Sequence, residues 1–143
     1  MKVLRSSLWL LFSGLLFSLT SVTQAAPYDP LKTESGKSAA PIDLTMQDQS
    51  RNRDIPLRVY LPRKKQPAPV LLFSHGLGGA RTGSQYLGEH WSARGYVVVY
   101  LQHPGSDEAV WKDVPALQRL RALKSATTLQ NTVDRYQDVR DVL

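Results

Sequence analysis

The 143 residues contain no cysteine, so no disulfide can brace the fold, and stability has to come from a packed core. The same absence excludes a lipid-modified cysteine anchor and a cysteine-based zinc site. No His-x-x-x-His pair joins His75, His90 and His103, so no metal is expected. No apolar run reaches the roughly 20 residues that a spanning helix needs. No internal repeat or low-complexity tract is present. Charge of one sign is also scarce: the net charge is +6, and the only basic run is Arg63-Lys64-Lys65 between Pro62 and Pro67. A solvated loop explains that run, and a nucleic-acid partner is not indicated.

Apolar segments are plentiful, with the hydrophobic set at 42% and charged residues at 21%, which is the composition of a globular chain with a sizeable core. Lys2 and Arg5 precede an apolar stretch from Leu8 to Leu19, followed by Thr23-Gln24-Ala25. This order is that of a cleavable secretory signal peptide, cut after Ala25. Export to the periplasm or beyond the cell is expected, with no stable membrane anchor after cleavage. Losing Lys2 and Arg5 lowers the net charge from +6 to +4. Residues 26–40 are rich in Pro, Ser, Gly, Lys and Ala and read as an irregular lead-in. Residues 41–143 form the folded part.

That part opens with two alternating segments. Ile42, Leu44 and Met46 share one face, as do Ile55, Leu57, Val59 and Leu61, with the polar turn Asp48–Asp54 between them. Period two around a turn predicts an antiparallel hairpin with one buried face. Residues 69–73 and 96–101 are continuously apolar, as strands covered on both faces are. Between them Tyr86, Leu87, His90 and Trp91 fall on one helical stripe, with Thr82 or Ser84 before it and Gly95 after it. His90 is then a satisfied core residue, and Trp91 and Trp111 are packing residues. Strand, helix, strand is a right-handed crossover unit. Two further helices are expected. One is capped by Asp113 and carries Leu117, Leu120 and Leu123. The other is capped by Thr127 or Thr128 and carries Leu129, Val133, Tyr136, Val139 and Leu143. The pattern is still helical at Val142-Leu143, which suggests a chain that continues. The fold class is therefore α/β: an antiparallel hairpin joined to a mostly parallel sheet with helices on both faces.

The segment that carries chemistry is His75-Gly76-Leu77-Gly78-Gly79, directly after a buried strand. Glycines let the backbone turn sharply and aim N–H groups at a ligand. Acyl transfer needs such donors for the oxyanion, each worth roughly 3 to 4 kcal/mol of barrier. Two phosphate-binding patterns fail on their decisive residue. Arg81 stands at the third glycine of a dinucleotide fingerprint, and Ser84 stands where a P-loop needs lysine. Ser74 and His75, adjacent on an extended segment, point to opposite sides and do not form a nucleophile–base pair.

The order hairpin, buried strand, His-Gly-x-Gly, helix, buried strand resembles the opening of the α/β-hydrolase fold. The wording Phe73-Ser74-His75-Gly76-Leu77-Gly78, with Tyr100 to Asp107 after the next strand, is similar to the secreted platelet-activating-factor acetylhydrolase and dienelactone-hydrolase-like group. The resemblance covers residues 42–143. It implies that the Leu77 N–H serves the oxyanion hole, that Gly76 and Gly78 shape the loop, and that His75 structures it. His103 could line the cleft or simply belong to a loop, because ligands sit at the carboxyl ends of such strands. Gly105-Ser106-Asp107-Glu108 is either a substrate-side loop or a turn before a helix. The family's Gly-x-Ser-x-Gly elbow is missing, and its Ser, Asp or Glu, and His are expected downstream. The expectation is thus an N-terminal portion of a secreted serine hydrolase acting on small acyl esters, without cofactor, and inactive by itself. The alternative is a non-catalytic binding module or remnant of the same fold. The strand ending at Phe73 is expected to be central, so the isolated segment should expose an apolar edge and be poorly soluble or molten.

Overall fold

The computed structural model describes residues 39–143. The expected signal peptide and most of the expected lead-in segment lie outside the described residues. Strands β1 (Ile42–Asp48) and β2 (Arg53–Tyr60) form the expected hairpin, paired antiparallel with Ile42 opposite Val59. Asn52 in the turn takes a left-handed φ of 47°, a conformation that asparagine tolerates better than most residues. Strands β3 (Val70–Ser74) and β4 (Val97–Leu101) are parallel neighbours, and β4 also pairs antiparallel with β2. The sheet order is β1-β2-β4-β3, so among the described residues the sheet is mixed, with one parallel pair.

Period two accounts for the two cores. Ile55, Leu57, Val59, Val99 and Leu101 are buried on one face, with Val139 and Val142 packed against them. Tyr60, Val98 and Tyr100 are buried on the other, against Phe73 and Trp91. Helix α1 (Gln85–Ser92) covers the second face and α3 (Leu129–Val142) the first, so helices lie on both sides. Phe73 stacks on Tyr100 at 4.3 Å between ring centroids. Between α1 and α3 the chain passes through 3₁₀ turns at Glu108–Val110 and Ala116–Gln118, and then α2 (Arg119–Ser125).

Several expectations change. The inward stripe of α1 is turned by about one residue: Gly88 and Ser92 are buried, Leu87 and Trp91 are half-buried, and Tyr86 and His90 are exposed. Gly88 sets this rotation, because a Cβ there would meet the Tyr60 ring at 2.5 Å. His90 is therefore no core residue. Ser84 precedes α1 but sits at φ 53° and makes no side-chain cap bond. Asp113 does not cap the expected helix, which begins later: Leu117 lies in the turn at Ala116–Gln118, and Leu120 and Leu123 lie on α2. The apolar stripe foreseen on α3 is only partly inward: Val139 packs against the core, Leu129, Val133, Tyr136 and Leu143 are exposed, and Asp138 is buried. In β1, Ile42 and Leu44 are also exposed. β3 pairs only with β4 among the described residues, and Val70 is 59% exposed. Thr128 does cap α3, accepting the Asn131 N–H at 3.1 Å, and Gly95 takes the left-handed φ of 90° that ends α1.

Candidate active site

β3 and β4, being parallel, deliver their carboxyl ends to the same edge of the sheet. The loops that leave them interlock there. The Gly78 N–H donates to the Ser106 carbonyl at 2.8 Å, the Glu108 N–H donates to Gly79, and the Trp111 indole donates to the Gly78 carbonyl at 2.7 Å. Gly79 bridges Asp107 in parallel fashion. The Gln102 side chain joins the same web, accepting from the Arg81 N–H at 2.7 Å and donating to Asp107 at 2.6 Å. Gly105-Ser106-Asp107-Glu108 is thus a turn that clasps the glycine loop.

The glycines differ in what demands them. Gly78 has φ +76°, and a Cβ there would approach Leu123 at 2.7 Å and Trp111 at 3.0 Å. Only glycine fits at this turn. Gly76 has no atom within 4 Å of such a Cβ, so no steric demand for glycine comes from the described residues. Leu77 is exposed, and among the described residues its N–H meets no acceptor. It borders a cavity of about 170 Å³ shared with Ser106, Thr127, Thr128, Asn131 and Arg135. An N–H with no acceptor among the described residues, on a cavity-lining residue of a loop fixed from both sides, can donate to an incoming oxygen.

Behind the loop lies an arrangement that the sequence did not reveal. His103 is fully buried, with Nδ1 2.9 Å from Asp138 Oδ2 and Nε2 2.9 Å from Ser74 Oγ. Ser74 also accepts from Arg135 at 2.9 Å. Asp138, fully buried on α3, accepts from Arg53 at 2.9 and 3.1 Å and from Arg51 at 3.0 Å. Burial alone would raise its carboxyl. Hydrogen bonds from His103, Arg53 and Arg51 outweigh that and hold it at about 2. Because the carboxylate can only accept, the neutral His103 ring carries its proton on Nδ1, leaving Nε2 to accept from the Ser74 hydroxyl. His75 is assigned likewise. Its Nε2 accepts from the His103 backbone N–H at 3.3 Å, and its Nδ1 donates to the Gly76 carbonyl at 2.7 Å. Burial lowers its pKa, with the Gly76 bond opposing. Chemically, the Ser74–His103–Asp138 order could pass a proton from a hydroxyl to an imidazole.

His75 does structure the loop, and Ser74 and His75 make no bond to each other. His103 does not offer a ring atom to a ligand, since both nitrogens are engaged and the side chain is buried. Its cleft-lining role is therefore replaced by one inside the protein. The signal that could have revealed the network is the 3–4 spacing of Asp134, Arg135 and Asp138 on α3, facing Arg51 in the β1–β2 turn and Arg53 at the start of β2. Among the described residues no group of His, Cys, Asp and Glu is arranged to hold a metal. No helix among them is long and apolar enough to cross a membrane.

A mixed sheet in the order 1-2-4-3, covered by helices, with a glycine loop after the third strand, fits a partial α/β fold of the α/β-hydrolase-like kind. The family model for platelet-activating factor acetylhydrolase, isoform II, matches residues 41–134, and the chain belongs to that family. Two solved structures are similar over part of the chain. An acylaminoacyl peptidase from Pyrococcus horikoshii is 22% identical over 51% of this chain and 12% of its own, with a TM-score of 0.41. A thermostable esterase is 21% identical over 43% of this chain and 20% of its own, with a TM-score of 0.31. The matched segment thus spans about an eighth and a fifth of those proteins. No curated protein matches the chain.

Proposed function

We propose that these residues are the N-terminal, oxyanion-bearing part of a secreted serine hydrolase that acts on carboxylic esters or similar acyl bonds. The nucleophile belongs to a Gly-x-Ser-x-Gly elbow that these 143 residues do not contain. The substrate is a small acyl ester, and no cofactor takes part. The observation that carries the reading is the Leu77 N–H: without an acceptor among the described residues, after the carboxyl end of a sheet strand, on a residue that lines a cavity of about 170 Å³. As a carbonyl becomes tetrahedral, this donor meets the growing negative charge at no reorganisation cost, because Gly78, Ser106 and Trp111 already fix the loop. The basic, apolar N-terminal stretch supports export, and an exported product beginning at Ala26 is the expected outcome of N-terminal sequencing.

The test compares Leu77→Pro with Leu77→Ala in the hydrolase that carries this chain. Proline removes the N–H and alanine keeps it. Leu77→Pro should lower kcat on a short acyl ester by about 10²- to 10³-fold, while Leu77→Ala stays within a few fold. A matching thermal melt separates lost chemistry from lost folding. Full activity in a folded Leu77→Pro variant would remove Leu77 from the oxyanion hole.

A further inference from the structure

We infer that Ser74, His103 and Asp138, despite their nucleophile-relay order, form a positioning brace that holds the glycine loop so that the Leu77 N–H is aimed. The inference rests on the ester-hydrolase reading above. Three features of the geometry carry it.

The first is the direction of the contacts. His103 reaches the glycine loop twice, through its ring to Ser74 Oγ and through its backbone N–H to the His75 ring. Arg135, one turn before Asp138 on α3, donates to Ser74 Oγ, to Ser106 Oγ at 3.0 Å and to the His75 carbonyl. The loop is thereby tied to both α3 and the loop after β4.

The second is the state of the carboxylate. In a nucleophile relay the aspartate gains interaction energy when the imidazole is protonated. Both oxygens of Asp138 already accept from guanidinium groups, Arg51 and Arg53 on Oδ1 and Arg53 on Oδ2. A carboxylate so balanced gives less support to an imidazolium.

The third is the hydroxyl. Ser74 Oγ accepts from a guanidinium while donating to His103. That cation draws on the lone pair that would attack a carbonyl. Such a hydroxyl is suited to fastening.

The experiment uses Ser74→Ala and Ser74→Thr in the protein carrying this chain, with three measurements. Hydrogen exchange is read at the Gly78 and Gly79 amides, which are bonded to Ser106 and Gly76. Loss of the hydroxyl should speed their exchange by roughly tenfold or more relative to the β1–β2 hairpin, and threonine should restore protection. With a short acyl ester, Ser74→Ala should lower kcat by about 10- to 100-fold at nearly constant KM, with Ser74→Thr recovering most of it. A fluorophosphonate should leave Ser74 unmodified. Unchanged exchange in Ser74→Ala overturns the brace, whatever the activity. A phosphonate adduct on Ser74 overturns it in favour of a nucleophile. If the unsubstituted protein hydrolyses no ester, the hydrolase reading fails, and the exchange comparison still decides whether the loop is braced.

Discussion

Asp138 couples the site to pH. Its carboxyl is held at about 2 in the folded chain against an ordinary value of 3.8. A depressed folded value means that the unfolded chain binds the proton more readily. The stabilising contribution is therefore complete above about pH 4 and disappears as pH falls through about 2. Melting temperatures recorded from pH 7 down to pH 2 should drop over that window, and Asp138→Asn should flatten the drop. At neutral pH the same substitution leaves Arg51 and Arg53 facing a neutral amide inside the protein, at a cost of about 3–5 kcal/mol. An unchanged acid slope in Asp138→Asn would show that other carboxylates set it. Gly88 offers a second test at this scale. On an open helix face Gly→Ala gains about 1 kcal/mol. At Gly88 the new methyl would lie 2.5 Å from the Tyr60 ring, and overpacking costs about 1–3 kcal/mol. Gly88→Ala should therefore lower the denaturation midpoint, and a rise would show that α1 can slide away from the sheet.

α3 is held more by its caps and ion pairs than by an apolar face. Thr128 closes its first turn, so Thr128→Ala should destabilise the protein by about 1 kcal/mol in chemical denaturation; no change would mean that Asn131, which bonds the Gly105 and Ala126 carbonyls, already suffices. This helix also marks where the sequence stopped being readable. Its extent followed from Thr128 and the spacing of Leu129, Val133, Tyr136 and Val139, but its orientation did not. Reading apolar residues as inward is sound when burial is driven by area removed from water. Here Arg51 and Arg53, projecting from the hairpin, draw Asp138 inward, and Leu129 and Tyr136 are left outside. The strands were readable because their signals are local: alternation in β1 and β2, unbroken apolar runs in β3 and β4. The glycine loop was readable because its residues are contiguous. The Ser74–His103–Asp138 contact joins positions 29 and 35 residues apart, and spacing along a chain carries no such information.

The whole molecule is shaped by which edge of the sheet stays open. β2 and β4 hold the centre, with Ile55, Val98, Tyr100 and Leu101 fully buried. On one flank β1 is the outermost strand among the described residues, and Arg58 bonds Asp43 there at 2.8 Å, the kind of charged decoration that discourages edge-to-edge pairing. The other flank is β3, Val70–Ser74, apolar through Phe73 and unpaired on its outer side among the described residues. Pro69 precedes it, but no charge interrupts it. Unsatisfied backbone donors and acceptors beside valine and leucine form a template for another strand. The isolated chain should therefore self-associate as its concentration rises, with light scattering and an apolar dye both reporting the exposed surface. Val70→Lys places a charge on the exposed apolar residue of β3, 59% accessible, without touching either buried cluster. It should suppress scattering while leaving the melt of the β2–β4 core in place. A monomer that melts sharply at every concentration would sink this reading, because the edge would then be covered in a way that the pairing of β3 with β4 does not provide.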